Sequence, residues 1–135
     1  MDEKRLTRYR KKISVVTKRE NNISSWINDD DEKSILAVYK AYQELVEGLT
    51  DIFAMILKDM GELVEDDYSN IERLNEIGLL SKEQEELMKE ANGLRNRLVH
   101  EYNGLEKKTA LNSVKRLNPE FEDVLEEVRG WLKEQ

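Results

Sequence analysis

The chain has 135 residues with no cysteine, one histidine and one proline, and its 29 acidic and 22 basic side chains give a net charge of −7. Disulfide scaffolds, thiolate zinc sites, cysteine nucleophiles and metal sites with two imidazoles from one chain are therefore excluded. Apolar runs long enough to span a bilayer are absent, and the basic first segment lacks the apolar core of a secretory signal, so we expect a cytoplasmic protein that does not bind membranes.

The composition favours helix throughout the chain. One proline and six glycines leave few helix breakers, while Glu, Lys, Leu and Arg are abundant and lose little side-chain freedom in a helix. The length suits a single domain over residues 1–135. We therefore predict an all-α domain.

The first helix is predicted from residue 1 to about residue 20, on apolar positions spaced three and four apart: Leu6, Tyr9, Ile13 and Val16. Ile23, Trp26 and Ile27 lie either on its continuation or on a shorter turn. The acidic run at 29–32 predicts the start of a second helix, because carboxylates cap free N–H groups and favour the positive end of the helix dipole.

The second helix is the clearest element of the sequence. Its apolar positions keep the three-four spacing from Ile35 to Met60, and Gly61 marks its end. An apolar stripe of this length must be covered by other helices or by a second copy of the chain. We predict that it forms the central wall of a bundle.

Three further helical segments follow. An acidic loop at 65–67 precedes a short helix from Ser69 to Ile77, and Gly78 provides its C-terminal cap. Ser81 and Gln84 have the spacing of a capping box, which predicts a helix from Ser81. The apolar face of that helix comprises Leu87, Met88, Ala91, Leu94 and Leu98. Residues 105–134 are predicted to be helical and kinked or split at Pro119.

The charges are distributed unevenly along the chain. Residues 1–19 contain eight basic and two acidic side chains, whereas residues 20–94 contain six basic and nineteen acidic ones. A second basic group lies between residues 95 and 116. If the first helix packs near that group, the two could form a local basic surface; the alternative is a solvated helix face. The negative net charge argues against broad affinity for nucleic acids.

The chemically distinctive segment is RNRLVHEY at residues 95–102. Arg95 occupies a position expected to be apolar, four residues after Ala91 and three before Leu98. A charge there is costly unless it is paired or used. His100 can exchange a proton near neutral pH, and an arginine can grip a phosphate and stabilise extra charge on it. These residue types suit metal-free RNA cleavage by the ribose 2′-OH, although a lone histidine near a helix end is also commonly a capping or packing residue.

Helical geometry constrains how these two side chains could act together. On one continuous helix Arg95 and His100 point about 140° apart, at 100° per residue. Either the helix breaks before His100, or a neighbouring copy of the segment completes the site. We favour the second alternative, a two-fold dimer whose two segments meet in a cleft.

The pattern formed by Arg95, Asn96, His100 and Tyr102 resembles the R-x4-H-x-Y signature of the HEPN superfamily, in particular its HepT-like toxins, and the likeness covers nearly the whole chain. The resemblance implies an up-and-down bundle of four to five helices that dimerises around a shared cleft. It also implies a ribonuclease without metal or cofactor, which acts as the toxin of a toxin–antitoxin pair. Arg95 and His100 would be catalytic, and Asn96 and Arg97 would support them. A minimal nucleotidyltransferase antitoxin would silence the toxin by adding AMP to Tyr102.

Two other interpretations remain open at this point. The chain could be a non-catalytic HEPN module that binds a nucleotide or protein and pairs with a nucleotidyltransferase. It could also be a helical adaptor in which Arg95 and His100 only stabilise a dimer interface.

Overall fold

The computed structural model describes residues 1–100 and 106–135, and every regular element in those ranges is helical. The helices are α1 (Glu3–Trp26), α2 (Glu32–Asp59), α3 (Asp67–Glu76), α4 (Lys82–His100), α5 (Lys107–Leu117) and α6 (Phe121–Lys133), with a 3-10 turn at Asn118–Glu120 between the last two. The predicted all-α class is confirmed. The last of the five predicted segments is divided at Pro119, as expected for a proline in the first turn of a helix.

Aspartate side chains define three of the helix starts. The carboxylates of Asp2, Asp31 and Asp66 each accept a hydrogen bond from the backbone N–H three residues later. The predicted start of the second helix is therefore confirmed. The short third helix begins at Asp67, two residues before the predicted start, because Asp66 is its cap rather than part of a loop.

The other predicted helix ends agree with the structure. The structure also decides whether the residues after position 20 continue the first helix or form a separate turn. The first helix continues through Trp26 instead of ending near residue 20. Gly61 and Gly78 follow α2 and α3 with φ values of 76° and 87°, where a side chain would strain the backbone.

Helix α2 forms the centre of the core and packs against α1, α3 and α4. Its buried side chains extend along nearly its whole length: Val38, Tyr39, Ala41, Tyr42, Leu45, Val46, Leu49, Thr50, Ile52, Phe53, Met55, Ile56 and Leu57. The predicted central wall is thus covered from several sides within one chain.

The packing of α1 on α2 also pairs three of the eight basic side chains of residues 1–19 with acids. Three ion pairs join the two antiparallel helices, namely Arg5–Asp59, Lys12–Asp51 and Arg19–Glu44. Burial alone would raise the pKa of Asp59, but hydrogen bonds from Arg5 Nε at 2.8 Å and the Tyr9 hydroxyl at 2.6 Å hold it below its usual value. The joint basic surface of the first helix and residues 95–116 stays a prediction.

The C-terminal helices close the bundle over α1. The ring of Trp131 in α6 lies 5.7 Å from that of Tyr9, centroid to centroid. Asn118 in the 3-10 turn donates hydrogen bonds to the Glu20 carbonyl at 3.2 Å and to the Ser24 hydroxyl at 3.0 Å. None of the helices in the described ranges combines the length and the apolar character that crossing a bilayer requires.

We expect the Gly48→Ala substitution to lower the free energy of unfolding by about 1–3 kcal/mol, because overpacking a rigid contact forces the helices apart. A Cβ at position 48 would lie 2.7 Å from Cγ2 of Val16, a fully buried and stiff side chain of α1. Urea denaturation followed by circular dichroism measures the change.

Gly130→Ala in α6 is the matched control, since nothing lies within 4 Å of its added Cβ. It should raise the free energy of unfolding by about 0.5–1 kcal/mol, the usual gain of alanine over glycine in a helix. Equal stability of the two variants would contradict the close α1–α2 contact.

Candidate active site

The predicted catalytic segment lies at the C-terminal end of α4. Arg95, Asn96, Arg97 and His100 all belong to the last turns of this helix. Tyr102, the predicted site of modification, lies outside the described residues.

Local sequence and packing fix where α4 begins and which face it turns to the core. The predicted capping box is confirmed, with Gln84 N donating to Ser81 Oγ at 3.0 Å and Ser81 N donating to Gln84 Oε1 at 2.8 Å. Four of the five predicted core positions are buried and Leu87 is half-buried. The hydroxyl of the buried Tyr42 in α2 donates to the Ala91 carbonyl at 2.8 Å, which fixes α4 along α2 one turn before Arg95.

Arg95 is held in a polar junction between α2, α3 and α4. Its side chain is 14% exposed, and Nη2 donates hydrogen bonds to Asp67 Oδ2 at 3.0 Å and to Asn92 Oδ1 at 2.8 Å. Nη1 lies 3.6 Å from Glu47 Oε1. The buried Nε has no hydrogen-bond partner among the described residues. The charge on the inner edge of the apolar stripe is therefore paired with carboxylates of two other helices.

Sequence reasoning did not identify Asp67, Asn92 and Glu47 as partners of this arginine. The signal that could have found them was the charge of Arg95 on an apolar stripe, because such a guanidinium requires a nearby acid. Periodicity does not show which acid of a distant helix meets it.

His100 is exposed at the end of α4, beside the exposed Val99, and its imidazole is not enclosed in an apolar interior. Arg97 is also exposed, and Asn96 is half-buried. The imidazole is therefore accessible to a macromolecular substrate.

The helix does not break before His100. Because α4 is helical from Lys82 to His100, the directions of Arg95 and His100 differ by about 140° around the helix axis. Of the two geometrical alternatives, a helix break is thus excluded. A single α4 does not turn the guanidinium and the imidazole toward the same point.

The phenol of Tyr42, beside the segment, is influenced by nearby charges of both signs. Burial raises the pKa of the Tyr42 phenol, the nearby Glu90 raises it further, and Arg97 and Arg95 oppose the shift. The phenol therefore stays neutral and acts as a hydrogen-bond donor. Within the described ranges, no three histidine or acidic side chains are grouped so as to hold a metal ion.

The sequence of this chain matches a known protein family. A family model described as "Ribonuclease HepT-like" matches residues 6–128. A relative from Archaeoglobus fulgidus named "Putative RNase" is 38% identical over 131 residues, covering 92% of this chain and 98% of the relative. A second A. fulgidus protein with the same name is 37% identical over 122 residues, covering 90% of this chain and 89% of its own.

Two solved structures share the fold. A Shewanella oneidensis HEPN toxin, tri-AMPylated and in complex with its MNT antitoxin, has a TM-score of 0.83 and 19% identity over 96% of this chain and 99% of the toxin. A toxin–antitoxin complex with AMP-PNP has a TM-score of 0.81 and 18% identity over 95% of this chain and 99% of the matched one. The matched family model, together with relatives that are more than a third identical over almost their whole length, identifies the chain as a member of the HepT-like ribonuclease family of the HEPN superfamily.

Proposed function

We propose that this chain is a metal-independent endoribonuclease, the toxin of a toxin–antitoxin pair that acts in the cytoplasm. One observation carries the proposal. In a HepT-like chain, the last turns of α4 hold a largely buried Arg95 and an exposed His100 in the R-x4-H spacing. The "RNase" names of the relatives support the same class of activity.

The reaction follows from the chemistry of the two side chains. The His100 imidazole takes the proton of a ribose 2′-OH, and the 2′ oxygen attacks the adjacent phosphorus. The bond from phosphorus to the 5′ oxygen breaks, which leaves a 2′,3′-cyclic phosphate and a 5′-OH whose proton comes from the imidazolium or from water. The Arg95 guanidinium stabilises the extra negative charge on the phosphorane, and Asn96 and Arg97 support the bound phosphodiester.

A homodimer supplies the missing geometry. Since α4 is unbroken, Arg95 and His100 of one chain diverge, and a two-fold axis beside the ends of two α4 helices would place Arg95 of one copy opposite His100 of the other. The exposed Val99 between them offers apolar surface for such a contact.

The antitoxin is proposed to be a minimal nucleotidyltransferase that adds AMP to Tyr102. The support is the motif position of Tyr102 and the solved relatives, one tri-AMPylated with an MNT antitoxin and the other a toxin–antitoxin complex with AMP-PNP. An adenylyl group on this phenol would bring bulk and a negative phosphodiester two residues from the imidazole, where both would repel RNA.

Two observations favour a second candidate, a non-catalytic HEPN module that binds a nucleotide or a protein. Arg95 already interacts with Asp67, Asn92 and Glu47, and the chain carries a net charge of −7. Nucleotide binding that depends on Arg95, without RNA turnover, would support this candidate.

We expect the purified chain to cleave RNA in the presence of EDTA. His100→Ala should slow cleavage about 10²–10⁴-fold, the usual contribution of a positioned general base. Gel analysis of a labelled RNA measures the rate, and end-group analysis identifies the cyclic phosphate. Arg10→Ala, which removes an exposed arginine of α1, is the control and should cleave normally. Cleavage that requires added Mg²⁺ would contradict the mechanism.

Mixing two inactive variants tests whether each site is shared between copies. Arg95→Ala and His100→Ala chains, unfolded and refolded together, should recover about one quarter of the original rate, because half of the dimers are mixed and each has one intact site. If both catalytic side chains came from one chain, the mixture would stay inactive. Each variant refolded alone is the control.

Co-expression with the nucleotidyltransferase should add the mass of one or more adenylyl groups to the chain. Intact mass spectrometry measures the addition, and peptide fragmentation should locate the first group on Tyr102. Tyr102→Phe should escape modification and remain toxic in its presence, because phenylalanine lacks the acceptor oxygen. Modification of Tyr102→Phe to the same extent would contradict the assignment.

A further inference from the structure

The contacts of Arg95 are unequally distributed over its guanidinium group. Nη2 donates to Asp67 at 3.0 Å and to Asn92 at 2.8 Å, so both of its hydrogens are engaged. Nη1 faces Glu47 at 3.6 Å, which is beyond hydrogen-bond distance. One edge of the group is therefore fixed by protein acceptors, while the Nη1 edge keeps donors for a ligand.

The two side chains that accept from Nη2, Asp67 and Asn92, are themselves held in place and can therefore fix the orientation of the guanidinium. Asn92 is buried on α4, one turn before Arg95. Asp67 is the first residue of α3, and the start of that helix is fixed by Asp66, which accepts from Ser69 N at 2.9 Å and from Ser69 Oγ at 3.1 Å. By contrast, Glu47 is a half-exposed side chain of α2.

We propose that Asp67 is a positioning residue for RNA cleavage, which acts through Arg95 and does not touch the RNA. This inference rests on the proposed ribonuclease function. Asp67 fixes the plane of the guanidinium so that the Nη1 edge meets the reacting phosphate without a search among side-chain rotamers. Turnover depends on such alignment, because a misplacement of about 1 Å can cost about a hundredfold in rate.

The charge of Asp67 distinguishes this role from RNA binding. A carboxylate beside the site repels phosphate, so its removal should leave RNA affinity unchanged or raise it. A residue that only aided binding would have the opposite effect, and a residue that only stabilised the fold would lower the melting temperature along with the activity. The expected signature is a lower kcat without a higher KM.

The test measures steady-state RNA cleavage by the full chain with the substitutions Asp67→Asn and Asp67→Ala. We expect kcat to fall about 10–100-fold in Asp67→Ala and less in Asp67→Asn, because the amide oxygen can still accept from Nη2. Asp51→Asn is the matched control, since it removes a carboxylate that pairs with Lys12 at 3.1 Å on the α1–α2 face. Glu47→Gln should reduce kcat less than Asp67→Asn does.

A binding measurement tests whether the effect of Asp67 depends on Arg95. Fluorescence anisotropy with an uncleavable 2′-O-methyl RNA compares Arg95→Ala, Asp67→Ala and the double variant. Glu47→Gln measures how much the RNA affinity rises when one nearby carboxylate is removed. If Asp67 acts through Arg95, adding Asp67→Ala to Arg95→Ala changes the affinity by no more than this charge effect. Melting temperatures within a few degrees of each other show that α3 remains folded.

The outcomes separate the two claims. Wild-type kcat in Asp67→Ala, with Arg95→Ala inactive, would overturn this inference and leave the ribonuclease function intact. Full cleavage by Arg95→Ala, or none by the unsubstituted chain, would overturn both. A raised KM with unchanged kcat in Asp67→Ala would also overturn the positioning role.

Discussion

Burial of α2 along nearly its whole length is the constraint on which the rest of the structure depends. Each fully buried aliphatic or aromatic side chain contributes about 1.5–3 kcal/mol, so this stripe is covered wherever neighbouring helices can reach it. Its coverage places α1, α3 and α4 around one axis. The polar junction at Arg95 lies at the edge of this packing, where acids of α2 and α3 reach the inner side of α4. The position of the guanidinium is thus a consequence of how the core is filled.

The electrostatics of the site differ from those of proteins that bind nucleic acid through a broad basic surface. Three of the eight basic side chains of residues 1–19 are paired with acids of α2, and the chain carries a net charge of −7. The carboxylates of Asp67 and Glu47 beside Arg95 offset part of the positive charge that its guanidinium presents. Under the proposed function, a site of this kind would favour alignment of one phosphodiester over strong, unspecific affinity.

Local features of the fold were predictable from the sequence, and contacts between distant helices were not. The capping box at Ser81, the cap at Gly78 and the division at Pro119 depend on neighbouring residues, so the sequence alone indicates them. The length of the first helix was uncertain because the polar residues around position 21 neither stop a helix nor extend its apolar stripe. Arg95 was recognisable as an anomaly on its stripe, but its partner Asp67 lies 28 residues away in sequence. Only the packing of α3 against α4 brings the two together.

If the site is shared between two chains as proposed, the unbroken course of α4 has a consequence for how activity depends on the amount of protein. When each site needs two copies, the concentration of complete sites follows the mass-action law for association. Well below the dissociation constant of the pair, doubling the number of chains quadruples the number of sites. A few copies that escape control during slow leakage would then cut very little RNA, whereas a sudden excess of unmodified chains would cut a great deal. In the proposed dimer, a rigid helix end would thereby give the protein a threshold of abundance.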